Sequence, residues 1–489
     1  MIHSHFQQSG HVQQLVSAHR TATLVGDFPR SPAYAGLAEA LRRLVADGRI
    51  PVGARLPSER DLTRVLDVSR TTVTRAYASL VEQGYAEPRR GSGTFTRLPG
   101  EATRVHDRAL LPRPDDAGVV DLNCAAPAAT WGIAAAYERA LAVLPSYLAG
   151  HGYFPVGLPA LQQAIASSYE ARGLPTSPDQ VMVTPGALAA AAIVSRALTG
   201  AGDRVLVESP CYPNAVEALR DAGARLVPSP VDPDGWDLPG IGAGLHQVAP
   251  RLAFLIPDFQ NPTGLLMPDE QREEYAGHLR RARVRAVVDE AHQWLPLEGQ
   301  AMPLPFAAHA PGTVTVGSAS KGFWGGLRVG WIRAPEGTMD SFVRARLALD
   351  LGAPVLEQLV LVELLRDADR VVGDHRHRLR EQRDALADAV STSLPDWRFR
   401  LPSGGLALWC ELPAPLATAL AAEGDRRGVV VAPGPVFAAE GGLARFVRLP
   451  WTRPVGELQD AVARLAEAWS AVLAGHDPDR RPSSRVMVA

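Results

Sequence analysis

The sequence predicts an α/β protein in two parts, a small helical domain that ends in a hairpin and a large body with a mostly parallel sheet covered by helices. In the body, short apolar strands alternate with helical stretches, a pattern typical of parallel sheets. Before residue 98, three segments instead show helical periodicity, and a basic, glycine-rich segment follows them. A third observation concerns chemistry, because Lys321 is the one lysine among 50 basic residues.

Composition limits the class of protein. A chain of 489 residues with 46% hydrophobic residues can bury a large core. Its net charge of -2 gives no global attraction to nucleic acid or acidic lipids, so such affinity must come from a local patch. The three cysteines form no CxxC pair, which disfavours metal sites and a disulfide framework. Without a signal peptide or a long apolar run, we expect a cytoplasmic protein that does not span a membrane.

The first hundred residues divide into an arm and a helical domain. Residues 1–31 are polar and predict a poorly ordered arm or a short lead-in helix. Residues 32–97 contain three segments with helical periodicity. Ser58 and Ser69 stand directly before the second and third of them and are candidate N-caps. The short turn between these two helices is typical of helix-turn-helix motifs.

The third helix carries short polar side chains and an arginine in its first turn, namely Arg70, Thr71 and Thr72. Such residues suit a helix that enters the major groove by its N-terminal end. A hairpin with a basic, glycine-rich tip at Arg90 follows and suits a phosphate backbone or minor groove. The alternative is a three-helix module whose arginines and threonines are merely exposed.

Three short blocks in this domain resemble the winged helix-turn-helix of GntR regulators. They read LPSER from residue 56, SRTTV from residue 69 and GSGTF from residue 91. The resemblance implies a domain that binds double-stranded DNA. The DNA contacts that it implies are Arg60, Arg70, Thr71, Thr72 and Arg90.

The remaining chain consists of a linker, the body and a tail. Residues 98–119 are rich in proline and predict an extended linker. The body covers residues 120–475, with a smaller C-terminal α/β lobe from about 395 to 475, and residues 476–489 predict a disordered tail. Strands are predicted at Val181–Val183, Val205–Val207, Leu252–Ile256, Ala286–Val288, Val314–Val316 and Val329–Ile332. Ligands of such sheets bind at the carboxyl ends of the strands.

Lys321 indicates a specific chemistry. Arginine can replace lysine as a charge, but its guanidinium stays protonated and cannot supply the neutral amine that attacks an aldehyde. Schiff-base chemistry with pyridoxal phosphate is the usual reason for needing a lysine in such a place. The alternative is an ordinary surface lysine.

Residues near Lys321 and after three predicted strands fit such a cofactor. Ser318, Ser320 and Arg328 can bind a phosphate, and residues 184–188 place a helix N-terminus directly after a strand. A carboxylate at a strand end, Asp289, can keep a pyridinium nitrogen protonated. Asn261, after another strand, offers a donor for a phenolate oxygen.

These blocks, in this order, resemble the fold-type I aminotransferases that use pyridoxal 5'-phosphate. The resemblance implies that Lys321 forms the internal aldimine, that Asp289 pairs with the pyridine nitrogen and that Asn261 contacts O3′ of the ring. It also implies that Tyr212 stacks on the ring and that Arg448 holds a substrate α-carboxylate. The phosphate cup that it implies consists of Gly186, Ala187, Ser318, Ser320 and Arg328.

Three positions depart from that family pattern. His292 stands where many relatives have a tyrosine beside O3′; a pKa near neutrality would make its hydrogen bond pH-sensitive. Leu188 stands where a polar residue often helps to hold the phosphate, and Tyr153 lies near the position of a tyrosine that reaches the neighbouring subunit's phosphate. These departures favour cofactor binding over full transaminase competence.

A GntR-like domain followed by an aminotransferase-like body is the arrangement of the MocR type of bacterial regulator. The resemblance implies a homodimeric transcriptional regulator that senses pyridoxal phosphate, or a small amine or amino-acid effector, through an aldimine at Lys321. The first alternative is an active aminotransferase with an accessory DNA-binding domain. The second is a structural regulator whose body has lost the cofactor.

Overall fold

The computed structural model describes residues 16–46, 50, 53–89, 91–97, 118–232, 234–439 and 441–475. Its contacts divide the chain into two compact units, residues 1–106 with 131–138, and residues 107–130 with 139–489. Here the N-terminal domain means residues 16–97, and the body means residues 118–475. The predicted segments that lie outside the described residues are 1–15 of the arm, Arg90, most of the linker and the tail 476–489.

The N-terminal domain contains the predicted helices and hairpin. Its elements are α1 (Ala18–Val25), α2 (Ala33–Ala46), α3 (Glu59–Leu66), α4 (Arg70–Glu82), β1 (Ala86–Arg89) and β2 (Gly93–Thr96). Both predicted caps are confirmed. The Ser58 hydroxyl accepts a hydrogen bond from the Asp61 backbone N–H at 3.1 Å, and the Ser69 hydroxyl accepts one from the Thr72 N–H at 3.0 Å. These caps fix the first turns of α3 and α4.

The described end of the predicted arm packs into the core of the N-terminal domain. Val16, Val25 and Phe28 are buried there, and Ser17 caps α1 by accepting from the Arg20 N–H at 3.2 Å. The sequence predicted only an arm or lead-in helix, because three apolar residues at such irregular spacing give no helical period. These residues are ordered because they are buried against α2 and α3, which the spacing in the sequence does not show.

The body is built on an eight-stranded mixed sheet among the described residues. Its strands are β4 (Val181–Thr184), β5 (Arg204–Ser209), β6 (Arg225–Asp232), β7 (Gly235–Trp236), β8 (Leu252–Leu255), β9 (Arg285–Asp289), β10 (Val314–Ser318) and β11 (Gly330–Arg333), and β3 (Val120–Asp121) precedes them. The order across the sheet is β4-β11-β10-β9-β8-β5-β6-β7. Only β11 and β7 run against the others, so the predicted parallel character is confirmed.

Helices cover both faces of this sheet. The helices in this part of the chain are α5 (Ile133–Val143), α6 (Pro159–Ala171), α7 (Ala187–Leu198), α8 (Pro213–Asp221), α9 (Leu238–Val248), α10 (Asp269–Ala282), α11 (Phe306–His309), α12 (Met339–Arg346), α13 (Val355–Leu365) and α14 (Ala368–Ser393). Among them, α7 and α8 pack on one face of the sheet, and α9 and α10 pack on the other. Along β8 the side chains alternate between two buried clusters, with Phe254 in one and Leu255 in the other. A strand buried on both faces explains the continuous apolar run in the sequence.

The smaller lobe contains α15 (Ala417–Arg426), α16 (Val455–Gly475), β12 (Ala407–Glu411), β13 (Val429–Val430), β14 (Ala432–Pro433) and β15 (Phe446–Pro450). β15 lies between β12 and β14 in an antiparallel sheet. β13 pairs with β3, which ties the start of the body to this lobe. Within the described residues, no helix has both the length and the apolar character that a membrane span requires.

Candidate functional site

The carboxyl ends of the parallel strands meet at one cavity of about 610 Å³ in the body. The cavity wall contains nearly every residue that the sequence predicted for the cofactor and effector. These are Ala187, Tyr212, Asn261, Asp289, His292, Ser318, Ser320, Lys321, Arg328 and Arg448. Gly186 is the remaining one, and it caps α7 directly before Ala187.

Lys321 presents its amine to this cavity. The Nζ atom donates a hydrogen bond to the backbone carbonyl of Ala125 at 2.7 Å. Burial lowers the pKa of Lys321, with Cys124 opposing this shift and Arg448 adding to it. His375 fixes the lysine backbone, since its Nε2 lies 3.2 Å from the Lys321 carbonyl oxygen. A lowered pKa makes the neutral, nucleophilic amine more available.

Asp289 is a buried carboxylate at the end of β9. Its Oδ1 accepts a hydrogen bond from the Ala291 N–H at 2.8 Å. Burial raises the pKa of Asp289 to about 6, although the Ala291 N–H and Lys321 both act to lower it. No arginine, lysine or histidine of the described residues forms an ion pair with it. The charged form therefore calls for a cation inside the cavity, and a protonated pyridine nitrogen fits this requirement.

The end of the cavity where the sequence predicted a phosphate site is formed where β10, β11 and β4 lie side by side. Ser318 pairs with Gly330, which in turn pairs with Thr184. The Ser318 hydroxyl accepts from the Ser320 N–H at 3.1 Å, which fixes the loop before Lys321.

Arg328 lies against the N-terminus of α7. Its Nη2 donates to the Pro185 carbonyl at 3.1 Å, and a Cβ at residue 186 would lie 2.7 Å from the same atom. Gly186 also has a φ of 94°, which disfavours any other residue. A guanidinium beside free helix N–H groups is a site for a dianion, and the residues fit a phosphate.

His292 differs from what its sequence position predicted. Its Nδ1 lies 2.8 Å from the Phe259 carbonyl oxygen, and because a carbonyl can only accept, Nδ1 carries the proton. Burial lowers the pKa of His292 to about 4, so the expectation of titration near neutrality is wrong. The neutral ring then has no proton on Nε2. At neutral pH this atom can accept a hydrogen bond but cannot donate one to O3′ of the cofactor.

Tyr212 and Asn214 form part of the same wall. The Tyr212 ring is half-buried, and burial raises the pKa of its hydroxyl. Asn214 donates from Nδ2 to that hydroxyl at 3.0 Å, which holds the tyrosine in place. Sequence reasoning missed Asn214, although it follows Tyr212 by two residues at the start of α8.

Arg448 projects from β15 as a buried cation. Its Nη1 donates to Asn261 Oδ1 at 3.2 Å, its Nη2 donates to the Asn123 carbonyl, and its guanidinium lies 4.7 Å from the Phe437 ring centroid. Burial lowers its pKa to about 10. No carboxylate of the described residues pairs with it, and its buried Nε has no partner there. A carboxylate on a small ligand would supply the missing anion.

The family departures at Leu188 and Tyr153 are visible in the structure. Leu188 lines the cavity, where its apolar side chain adds nothing to a phosphate site. Tyr153 is 58% exposed, lies outside this cavity wall and stacks on His151 with ring centroids 5.6 Å apart.

The predicted DNA contacts cluster at the start of α4 and in α3. Arg60, Arg70 and Thr71 are exposed, and Thr72 is half-buried with its hydroxyl 2.8 Å from that of Ser69. The Arg70 side chain forms an ion pair with Glu59 at 3.6 Å but is 78% exposed, so a base edge or phosphate can reach it.

Comparisons with known families match both parts of the chain. The model of the family "Aminotransferase class I and II" matches residues 148–465. The model of "Bacterial regulatory proteins, gntR family" matches residues 33–96. The second match covers α2, α3, α4 and the hairpin, and the first covers the sheet and the cavity.

Individual relatives match three quarters or more of the chain. The chain is 30% identical to the probable rhizopine catabolism regulatory protein MocR of Rhizobium meliloti, over 75% of this chain and 78% of that one. It is also 30% identical to the HTH-type pyridoxine biosynthesis transcriptional regulator PdxR of Corynebacterium glutamicum, over 79% of this chain and 86% of that one.

A solved structure with the same fold as the body is LysN, an alpha-aminoadipate aminotransferase from Thermus thermophilus. The TM-score is 0.68 at 29% identity, and the match covers 74% of this chain and 94% of that one. That enzyme was solved in complex with N-(5'-phosphopyridoxyl)-L-leucine.

Proposed function

Because this chain belongs to the class I and II aminotransferases and joins that fold to a gntR-family domain, we propose that it is a cytoplasmic transcriptional regulator that binds pyridoxal 5'-phosphate and double-stranded DNA. The N-terminal domain binds the operator. The body binds the cofactor and, with it, a small amine or amino acid. The names of MocR and PdxR support this proposal, since both describe regulators.

The observation that carries the cofactor assignment is the placement of Lys321. Apart from the α-amino group it is the chain's single primary amine, and it lies in the cavity with Asp289 and Arg328. When bound, the cofactor supplies an aldehyde that condenses with amines and a ring that accepts electrons. Lys321 binds the aldehyde carbon, Asp289 holds the ring nitrogen as a cation, and Arg328 holds the phosphate.

Effector recognition rests on two groups in the same cavity. Lys321 offers the position that an incoming primary amine would take over, and Arg448 offers an unpaired buried cation for a carboxylate. An α-amino acid carries both partners on one carbon. We therefore propose an amino acid, or a similar amine, as the effector whose arrival changes the affinity of the protein for DNA.

A homodimer is part of the proposal. Two segments of the body, residues 141–153 and 347–351, contain exposed apolar side chains. The segments are neighbours in space, since Arg346 donates a hydrogen bond to the Pro155 carbonyl at 2.7 Å. Their exposed members are Leu141, Val143, Leu148, Tyr153, Leu347, Leu349 and Leu351. An apolar patch of this kind typically marks an interface between proteins. A dimer would present two DNA-binding domains to paired half-sites.

An active aminotransferase is the second candidate, favoured by the similarity to the Thermus enzyme. The neutral His292 and the apolar Leu188 support the regulator instead, because His292 adds no hydrogen-bond donor for the ring oxygen and Leu188 adds no polar ligand for the phosphate. Sensing needs only amine exchange at Lys321. Transamination also needs proton transfer by the lysine and release of a keto acid.

Borohydride labelling tests the cofactor assignment. The purified protein is loaded with pyridoxal phosphate, reduced, digested and analysed by mass spectrometry. We expect the pyridoxyl group on the Lys321 peptide alone. The matched control is Lys321→Arg, which keeps the charge but removes the amine. A label elsewhere, or no label in the parent, contradicts the assignment.

A further inference from the structure

Five arginines lie at the amino-terminal ends of the parallel strands, on the side of the sheet opposite to the cofactor cavity. Arg204, Arg225 and Arg285 are the first residues of β5, β6 and β9, and Arg251 directly precedes β8. Arg283 is the C-cap residue of α10 and lies two residues before Arg285. Their positions follow from the strand register, in which Arg204 pairs with Arg225 and Leu252 pairs with Arg285. We call these five residues the arginine row.

The row is continuous in space. It borders two hollows of about 460 and 180 Å³, and Arg251 and Arg283 line both. With strands about 4.8 Å apart, four neighbouring strands carry the row across roughly 15 Å. All five side chains belong to exposed residues, so they face solvent rather than the core.

The arginine row is not neutralised by the protein. Among the described residues, no carboxylate lies within ion-pair distance of any of its members. The one acidic residue in the wall, Asp203, accepts the Gly200 N–H at 2.9 Å, forms no ion pair with the row and balances at most one of its five charges. Like charges held together in this way repel each other, and a polyanion would relieve the repulsion.

A purely structural role explains only one member. The C-terminus of α7 ends at this edge, and Arg251 lies 3.5 Å from the Leu198 carbonyl, where it complements the helix dipole. The side chains of Arg204, Arg225, Arg283 and Arg285 have no such contact to a described carbonyl. The contact between Arg251 and the Leu198 carbonyl therefore does not explain the other four arginines.

We propose that the arginine row is a second DNA-binding surface, which holds the phosphate backbone beside the operator. A span of roughly 15 Å would face about four phosphates of one strand, at 3.4 Å of helix axis each. The hollows contain no aromatic residue that could stack on a base, which fits a backbone better than a nucleotide. This inference rests on the proposed DNA-binding function and extends it to the body.

Salt dependence of DNA binding tests the proposal. The full-length, cofactor-loaded protein is titrated against a duplex of about 40 base pairs of arbitrary sequence at several salt concentrations, and the slope of log K against log salt is measured. The variant is Arg204→Gln with Arg225→Gln and Arg251→Gln. The matched control changes three exposed arginines outside the row, Arg370, Arg398 and Arg400, to Gln.

We expect the slope of the row variant to be smaller than that of the parent by about two to three, because each lost phosphate contact removes about 0.9. The control should change it by less than one. Equal slopes in both triple variants would overturn the inference while leaving the DNA-binding function intact. A parent that binds no duplex at all would instead refute the proposed function. Retained cofactor absorbance, at the opposite edge of the sheet, shows that each variant is folded.

Discussion

Asp289→Asn should have opposite effects on the cofactor-free and the cofactor-loaded body. Burial raises the pKa of Asp289 from 3.8 to about 6. At 1.36 kcal/mol per unit, folding disfavours the ionised carboxylate by about 3 kcal/mol. Asparagine cannot ionise and avoids this cost. The bound pyridinium, in contrast, needs the charge, and breaking such a buried pair costs about 3 kcal/mol, or about a hundredfold in affinity.

The pH dependence gives the sign of the effect. Folding raises the pKa of Asp289, so the protonated carboxyl favours the folded parent. This contribution to the free energy of unfolding is fully present below pH 3.8 and is lost as the pH rises through about 6. A pH of 5 lies one unit below the folded pKa. Without cofactor, the free energy of unfolding of Asp289→Asn minus that of the parent should therefore grow by about 1.4 kcal/mol from pH 5 to pH 8.

Urea unfolding followed by tryptophan fluorescence measures this difference. Eight of the nine tryptophans lie after residue 138, in the unit that contains Asp289, so the signal reports mainly on that unit. Other titrating groups, such as His292, cancel because parent and variant are compared at each pH. Cofactor affinity is measured by the absorbance retained on dilution. A difference that does not change with pH, or an unchanged affinity for the cofactor, would refute the role of Asp289.

Three further predictions concern other parts of the chain. Arg70→Ala should reduce the preference for a selected duplex over a scrambled one by about 1–3 kcal/mol, with the exposed Arg43→Ala as control. Ser69→Ala should cost α4 about 1 kcal/mol, measured by hydrogen exchange of the Thr72 amide. Arg448→Gln should abolish the spectral response to amino acids but not to amines without a carboxylate, while Arg445→Gln should keep both; equal responses would exclude Arg448 as the anchor.

The fold of the body could be predicted largely because its strands are buried on both faces. Such strands give continuous apolar runs, and all six predicted ones form strands within a few residues of the expected bounds. β6 gave no such signal, since Pro228 and Pro230 interrupt it. Both prolines lie in the part of β6 that pairs with β5 but not with β7. On the β7 side no hydrogen bond of the sheet is lost by the absence of their N–H groups.

The site could be predicted where side chains carry the chemistry and could not where the backbone does. Lys321 and Asp289 were predicted from residue type and position, and Arg448 was predicted from the family resemblance. The carbonyl groups of Asn123 and Ala125, which bind Arg448 and Lys321, give no sequence signal because any residue can supply them. The same limit applies to His292, since its lowered pKa depends on burial that only the tertiary structure creates.

The most direct test of the central claim is the affinity of the full-length protein for an operator, selected from a random duplex pool, with and without pyridoxal phosphate and a panel of amino acids. We expect at least one addition to change this affinity in the parent, and we expect Lys321→Arg to abolish the change. We also expect little keto acid in the same samples. If no addition changes the operator affinity and keto acid forms rapidly over multiple turnovers, the protein is an enzyme and the proposed function is wrong.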